Sequence, residues 1–145
     1  NVLVTALGAY DEGRDGFSGS VDVGLFTQAG DLITSLTLPA GKPGVLQPDY
    51  GWRTMPLDVP VELKKNLSYQ FGVFYSDPTN DKIREHVSIS SNTEVTYTQS
   101  VYDSRPAGQA GLKAPGVYVA NYNWAVGTFE YTVLSPTRGT VIMVR

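Results

Sequence analysis

Apolar residues recur mostly at every second position along this chain, the period of a half-buried β-strand. No window of about 11 residues keeps the 3.6-residue period of an amphipathic helix. Val2, Val4 and Ala6 alternate with Leu3, Thr5 and Leu7. Val21, Val23 and Leu25 follow, and after the turn Gln28-Ala29-Gly30-Asp31 the residues Leu32, Leu36 and Leu38 share one parity, which predicts a hairpin. The clearest row is Leu57, Val59, Val61 and Leu63, with Asp58, Pro60 and Glu62 on the opposite face. Pro56 and Pro60 have no N–H to give a ladder and place this strand at a sheet edge. Leu67, Tyr69, Phe71, Val73 and Tyr75 form an aromatic row expected to cross the centre of a sheet. Val87 and Ile89, then Val95, Tyr97 and Val101, Val117 and Val119, Phe129, Tyr131 and Val133, and finally Val141 and Met143 complete the pattern. About ten short strands with little or no helix predict an all-β protein: an antiparallel, jelly-roll-like β-sandwich in a single domain over 1–145.

Composition narrows the function classes. With 145 residues, 41% of them hydrophobic and 17% charged, the chain can bury a core. Its 15 Gly and 9 Pro, spread as punctuation, are too many for a helical bundle. A net charge of −3 offers no cationic field for a phosphate backbone, so nucleic acid is not an expected partner. The lack of cysteine removes disulfides, thiol catalysis and cysteine-ligated zinc. No apolar run nears the roughly 20 residues that span a bilayer and no basic-then-apolar leader opens the chain, so a soluble protein without membrane insertion is expected.

Four loops are long enough to carry function: 11–20, 40–49, 76–84 and 103–116. The run Val4-Thr5-Ala6-Leu7-Gly8-Ala9-Tyr10-Asp11, with Asp15-Gly16, Val23-Gly24-Leu25-Phe26 and Gly30-Asp31-Leu32, resembles a secreted bacterial β-sandwich family. That family is a domain of unknown function found in exported proteins with a C-terminal Pro-Glu-Pro sorting signal and in modules of carbohydrate-active and cell-surface proteins. The likeness continues through Gly51-Trp52-Arg53, Pro60-Val61-Glu62-Leu63, Tyr69-Gln70-Phe71-Gly72 and Asn121-Tyr122-Asn123-Trp124. It implies a β-sandwich on the outside of a cell. Two departures stand out. The family pattern has a further strand ahead of the Val-Thr-Ala-Leu-Gly segment, and this sequence lacks the sorting tail and ends in a strand-like piece, 139–144. Either that piece, with Val141, Ile142, Met143 and Val144, replaces the missing strand, or a neighbouring chain supplies it and the protein is an assembly subunit.

The sharpest chemical motif is Asp11-x-Gly13-x-Asp15-Gly16 with Asp22 further on. Carboxylates at alternate loop positions, with glycine allowing the turn, can converge on calcium, which takes about six to eight oxygens. Calcium is therefore the one candidate cofactor. Compared with an EF-hand loop, the third position is Gly, the last ligand is Asp, and no helices flank it. The competing reading is a turn whose carboxylates cap their own backbone or meet Arg14. Asp77, Asn80 and Asp81 form a weaker oxygen cluster.

No catalytic constellation stands out. His86, the single histidine, shares parity with Ser88 and Ser90 and should face solvent. Gly16-Phe17-Ser18-Gly19-Ser20 is not a nucleophile elbow, and Gly41-Lys42-Pro43-Gly44 is not a phosphate loop. Nothing selects a glycosidase pair among Asp49, Glu62, Glu85, Glu94 and Glu130. An enzyme is not expected. Aromatic residues remain. Trp124 beside Asn121, Tyr122 and Asn123, and Tyr50 with Trp52, are two candidate platforms for a sugar ring; the alternative is that both indoles pack inside or plug the ends of the sandwich. Asn66-Leu67-Ser68 is a glycosylation sequon to which no function is assigned.

The functional expectation is a non-catalytic β-sandwich on an extracellular, cell, filament or virion surface. It would act as a structural or adhesive assembly unit, meeting other protein subunits through strand edges and loops. The alternative is a carbohydrate-binding module whose ligands are glycans.

Overall fold

The computed structural model describes residues 1–48, 51–81, 84–85, 95, 101–102, 112, 117–118, 124–125 and 127–134. Among them there is no helix. The strands are β1 (Val2–Tyr10), β2 (Val21–Thr27), β3 (Leu32–Leu38), β4 (Val45–Gln47), β5 (Trp52–Leu63), β6 (Tyr69–Tyr75), β7 (Arg84–Glu85), β8 (Val101–Tyr102), β9 (Val117–Tyr118), β10 (Trp124–Ala125) and β11 (Gly127–Val133). Every described pairing is antiparallel. One sheet has the order β11-β1-β5-β4 and the other β3-β2-β6, and two short ribbons pair β7 with β10 and β8 with β9.

The two larger sheets bury their apolar rows in one core. Val2, Val4, Leu7 and Ala9 of β1 share it with Val21, Val23 and Leu25 of β2, together with Leu38, Leu63 and Tyr75. The result is the sandwich-like all-β fold that period-2 patterning dictates. Leu7, Leu25 and Leu38 are fully enclosed, so truncating any of them to alanine costs about 2–5 kcal/mol. The β2–β3 hairpin forms as expected. Gly30 takes φ 96°, its N–H reaches the Thr27 carbonyl at 3.0 Å, and the Thr27 N–H reaches the Asp31 carbonyl at 2.9 Å.

Three irregularities correct the simple alternation. In β1 the register slips between Val4 and Ala6 against both neighbours. Val2 and Val4 face the core, but so do Leu7 and Ala9, and Ala6 turns to the opposite face instead of joining Val2 and Val4. A single extra residue inverts every later position of a strand. In β5, Val61 lies opposite Val4 and Pro56 opposite Ala6, so residues 57–60 arch past Thr5 unpaired with β1. Val59, expected inside with Leu57, Val61 and Leu63, is 73% exposed at the crest of that arch, between the exposed Asp58 and Pro60. In β3, Leu32 lies opposite Phe26 and Thr34 opposite Leu25, which leaves Ile33 as the extra residue. Leu32 thereby leaves the face of Leu36 and Leu38 and is 55% exposed.

Two placements within sheets also differ. The prolines do mark an open edge among the described residues, but only along half of β5, because β4 covers Trp52–Thr54. The aromatic row of β6 faces the core, yet β2 holds the centre of its sheet. Phe71 explains why β11 starts with glycine: a Cβ on Gly127 would lie 2.0 Å from the Phe71 ring. The strands expected around Val87, Ile89 and Tyr97 and over 139–144 lie outside the described residues.

Candidate functional site

Three of the four long loops meet at the end of the sandwich where β1 stops, and their polar side chains are used to hold one another. Asp11 follows β1 directly, and Arg53 comes from the β5 position beside Ala9. Asp11 Oδ2 accepts from Arg53 Nε and from the Gly16 N–H at 3.1 Å; the two side chains are only 2% and 5% exposed. Arg53 also reaches the Arg14 carbonyl at 3.4 Å. Asp81 grips the same loop from outside: its carboxylate accepts the Ser18 N–H at 2.9 and 3.1 Å and the Gly19 N–H at 3.2 Å. Phe17 exchanges two backbone hydrogen bonds with Gly41, at 2.7 and 2.8 Å, and its ring meets Tyr75 edge-on. The Tyr75 hydroxyl donates to the Tyr10 carbonyl at 2.9 Å. Burial pushes the Tyr75 phenol well above its ordinary range, and the neighbouring carboxylates Asp81 and Asp11 push the same way.

This geometry bears on the proposed calcium ligands. A calcium loop turns oxygens toward one point, whereas loop 11–20 turns backbone N–H groups toward two carboxylates. Asp11 is engaged by Arg53, and Asp15 folds over Gly13, where its Oδ1 lies 2.4 Å from the place a Cβ would take. Asp22 stands on the outer face of β2, and its Oδ1 accepts from Thr37 Oγ1 at 2.6 Å. Among the described residues, no three acidic, histidine or cysteine side chains gather where a metal ion could be held.

The aromatic candidates divide similarly. Trp52 is half-buried on the outer face of β5, edge-on to Tyr10 with ring centroids 5.3 Å apart. The backbone of Trp124 pairs with Glu85. Tyr50, Asn121, Tyr122 and Asn123 lie outside the described residues, as does the Trp124 side chain. Arg53 carries no motif of its own in the sequence, although Gly51-Trp52-Arg53 is among the family-like runs, and Asp81 stands out there only within an oxygen cluster. A lone arginine within an otherwise uncharged run, Gly51–Leu57, was the available signal.

A second feature lies on the outer face of β2 and β3. Asp22, Phe26, Leu32, Ser35, Thr37 and Leu112 surround a pocket of about 350 Å³. Gly24 opens its floor: a Cβ there would lie 2.5 Å from Leu112 Cδ2, so glycine lets Leu112 rest on the β2 backbone. On the first sheet, Glu130 accepts from Thr54 Oγ1 at 2.7 Å and from Gln47 Nε2 at 3.4 Å. Compared with protein-family models, with curated proteins and with solved structures, the chain matches none.

Proposed function

We propose that the protein is a non-catalytic, jelly-roll-like β-sandwich, akin to the exported bacterial modules it resembles. It serves as a structural or adhesive assembly unit on a cell, filament or virion surface. The observation that supports this most is the composition of the β3 edge. β3 reads Leu32-Ile33-Thr34-Ser35-Leu36-Thr37-Leu38, without charge, proline or glycine, and among the described residues only β2 pairs with it. Strand edges are normally blunted by lysine, proline or an arch, as the open half of β5 is by Asp58, Pro56 and Pro60. β3 has a bulge at its first turn and an unguarded run after it, which suits addition of a strand from a second copy. Its uncharged side chains would meet their own copies in an antiparallel pair without like-charge repulsion.

Sedimentation velocity over a wide concentration range tests this. Wild-type protein should self-associate, and Ser35→Lys, at an exposed position of β3, should shift the protein to monomer without lowering its melting temperature. A wild-type monomer at every concentration, or association unchanged in Ser35→Lys, defeats the proposal.

A further inference from the structure

The pocket on the outer face of β2 and β3 is not needed for strand pairing, and its walls divide by chemistry. Phe26, Leu32, Leu36 and Leu112 line it with apolar surface; Asp22, Ser35 and Thr37 line it with oxygens. Asp22 and Thr37 are directly opposed across β2 and β3, and Ser35 lies two residues from Thr37 on the same face. The Thr37 hydroxyl donates to Asp22 Oδ1, which leaves Asp22 Oδ2 and the oxygen lone pairs of Thr37 and Ser35 to face a ligand. Among the described residues no ion pair engages Asp22.

We infer that this pocket binds one neutral pyranose ring. A sugar hydroxyl both donates and accepts, and the wall supplies both functions: a carboxylate that accepts, and a serine hydroxyl that does either. The C–H face of the ring packs against Leu32 and Leu112, over Phe26. A volume of about 350 Å³ lies at the low end for small-ligand sites, which suits a single ring and not a chain of them. Anions are repelled by Asp22. An ammonium group only donates, so it would leave the Ser35 hydroxyl proton without an acceptor and the apolar wall of Leu32 and Leu112 uncovered. The site relies on Gly24, because any side chain there would displace Leu112 from the floor.

The experiment is a titration of ¹⁵N-labelled protein with methyl glycosides of glucose, galactose, mannose and N-acetylglucosamine, each to about 100 mM, since a ring of this size binds with a Kd of roughly millimolar order. At least one should give saturable shifts confined to Asp22, Phe26, Leu32, Ser35 and Thr37. Asp22→Ala should weaken that binding at least about tenfold, with its melting curve reporting that the fold is intact. Leu32→Asp, at an exposed position, gives the same readout should Asp22→Ala fail to fold. Any of three results overturns the inference: no saturable shift with any glycoside, shifts elsewhere on the molecule, or unchanged affinity in a folded variant. Saturation by methylammonium in place of the glycosides overturns it equally.

Discussion

The two ends of β1 are closed in different ways. At one end Asn1 acts as a staple. Its carbonyl accepts the Leu134 N–H at 3.0 Å, its Oδ1 accepts the Lys65 N–H at 2.8 Å, and its Nδ2 donates to Glu62. At the other end, roughly 30 Å away by strand rise, Asp11, Arg53, Asp81 and Tyr75 do the same work under cover. The Asp11 end has more such bonds, and the consequences of losing one also differ. Water replaces a lost partner at the exposed Asn1 end, whereas a buried donor or charge stripped of its partner bears its full desolvation cost. The Asp11 end therefore carries stability that the Asn1 end does not.

Breaking that contrast at its strongest point means Arg53→Met, which leaves the Asp11 carboxylate buried beside an apolar side chain. Stability in urea should fall by about 3–5 kcal/mol, and adding Asp11→Leu should recover much of the loss. Next comes Asp81→Ala, which strips the Ser18 and Gly19 N–H groups of their acceptor. We expect a loss of about 1–3 kcal/mol, with hydrogen exchange accelerated in residues 16–20 and not in β2. Tyr75→Phe should cost about 1 kcal/mol for the bond to the Tyr10 carbonyl. It should also flatten the alkaline limb of the stability curve. Because burial raises the folded-state pKa of Tyr75 above its ordinary value near 10, the neutral phenol supports the fold fully below pH 10. That support drains away as pH rises above 10, where the unfolded chain ionises first. Smallest is Glu62→Gln at the Asn1 end, where thermal melting should move by less than about 0.5 kcal/mol. A loss as large as that of Arg53→Met would erase the distinction between the ends.

Much of this architecture was legible from residue order. Val21, Val23 and Leu25, and the Gly30 turn into β3, followed from alternation and turn chemistry. What alternation could not show were the irregularities at Thr5, Ile33 and 57–60. Each depends on how many residues the facing strand offers, a quantity that no single strand contains. For that reason alternation alone puts Ala6, Leu32 and Val59 on the wrong face. At the loop end the residue types were visible, but their partners were not: Asp11 and Arg53 are 42 positions apart, and only the fold makes them neighbours. Strand alternation puts Asp22 on the outer face of β2, but only the fold shows that this face meets Thr37 of β3 and not the loop holding Asp11 and Asp15.

The slip in β1 and the arch in β5 fall at the same level of the sheet, while β11 runs past it from Tyr131 to Glu130 without an extra residue. Two adjacent strands that break register at one height form a crease. Below it lie Val2, Val4, Val61, Leu63 and Tyr131; above it lie Leu7, Ala9, Met55 and Phe129. Each group keeps its own continuous register across β11, β1 and β5. Under a pulling force applied along β1, the sheet would part at this line as two successive events, so a single-molecule extension trace should show a step between the folded and extended lengths.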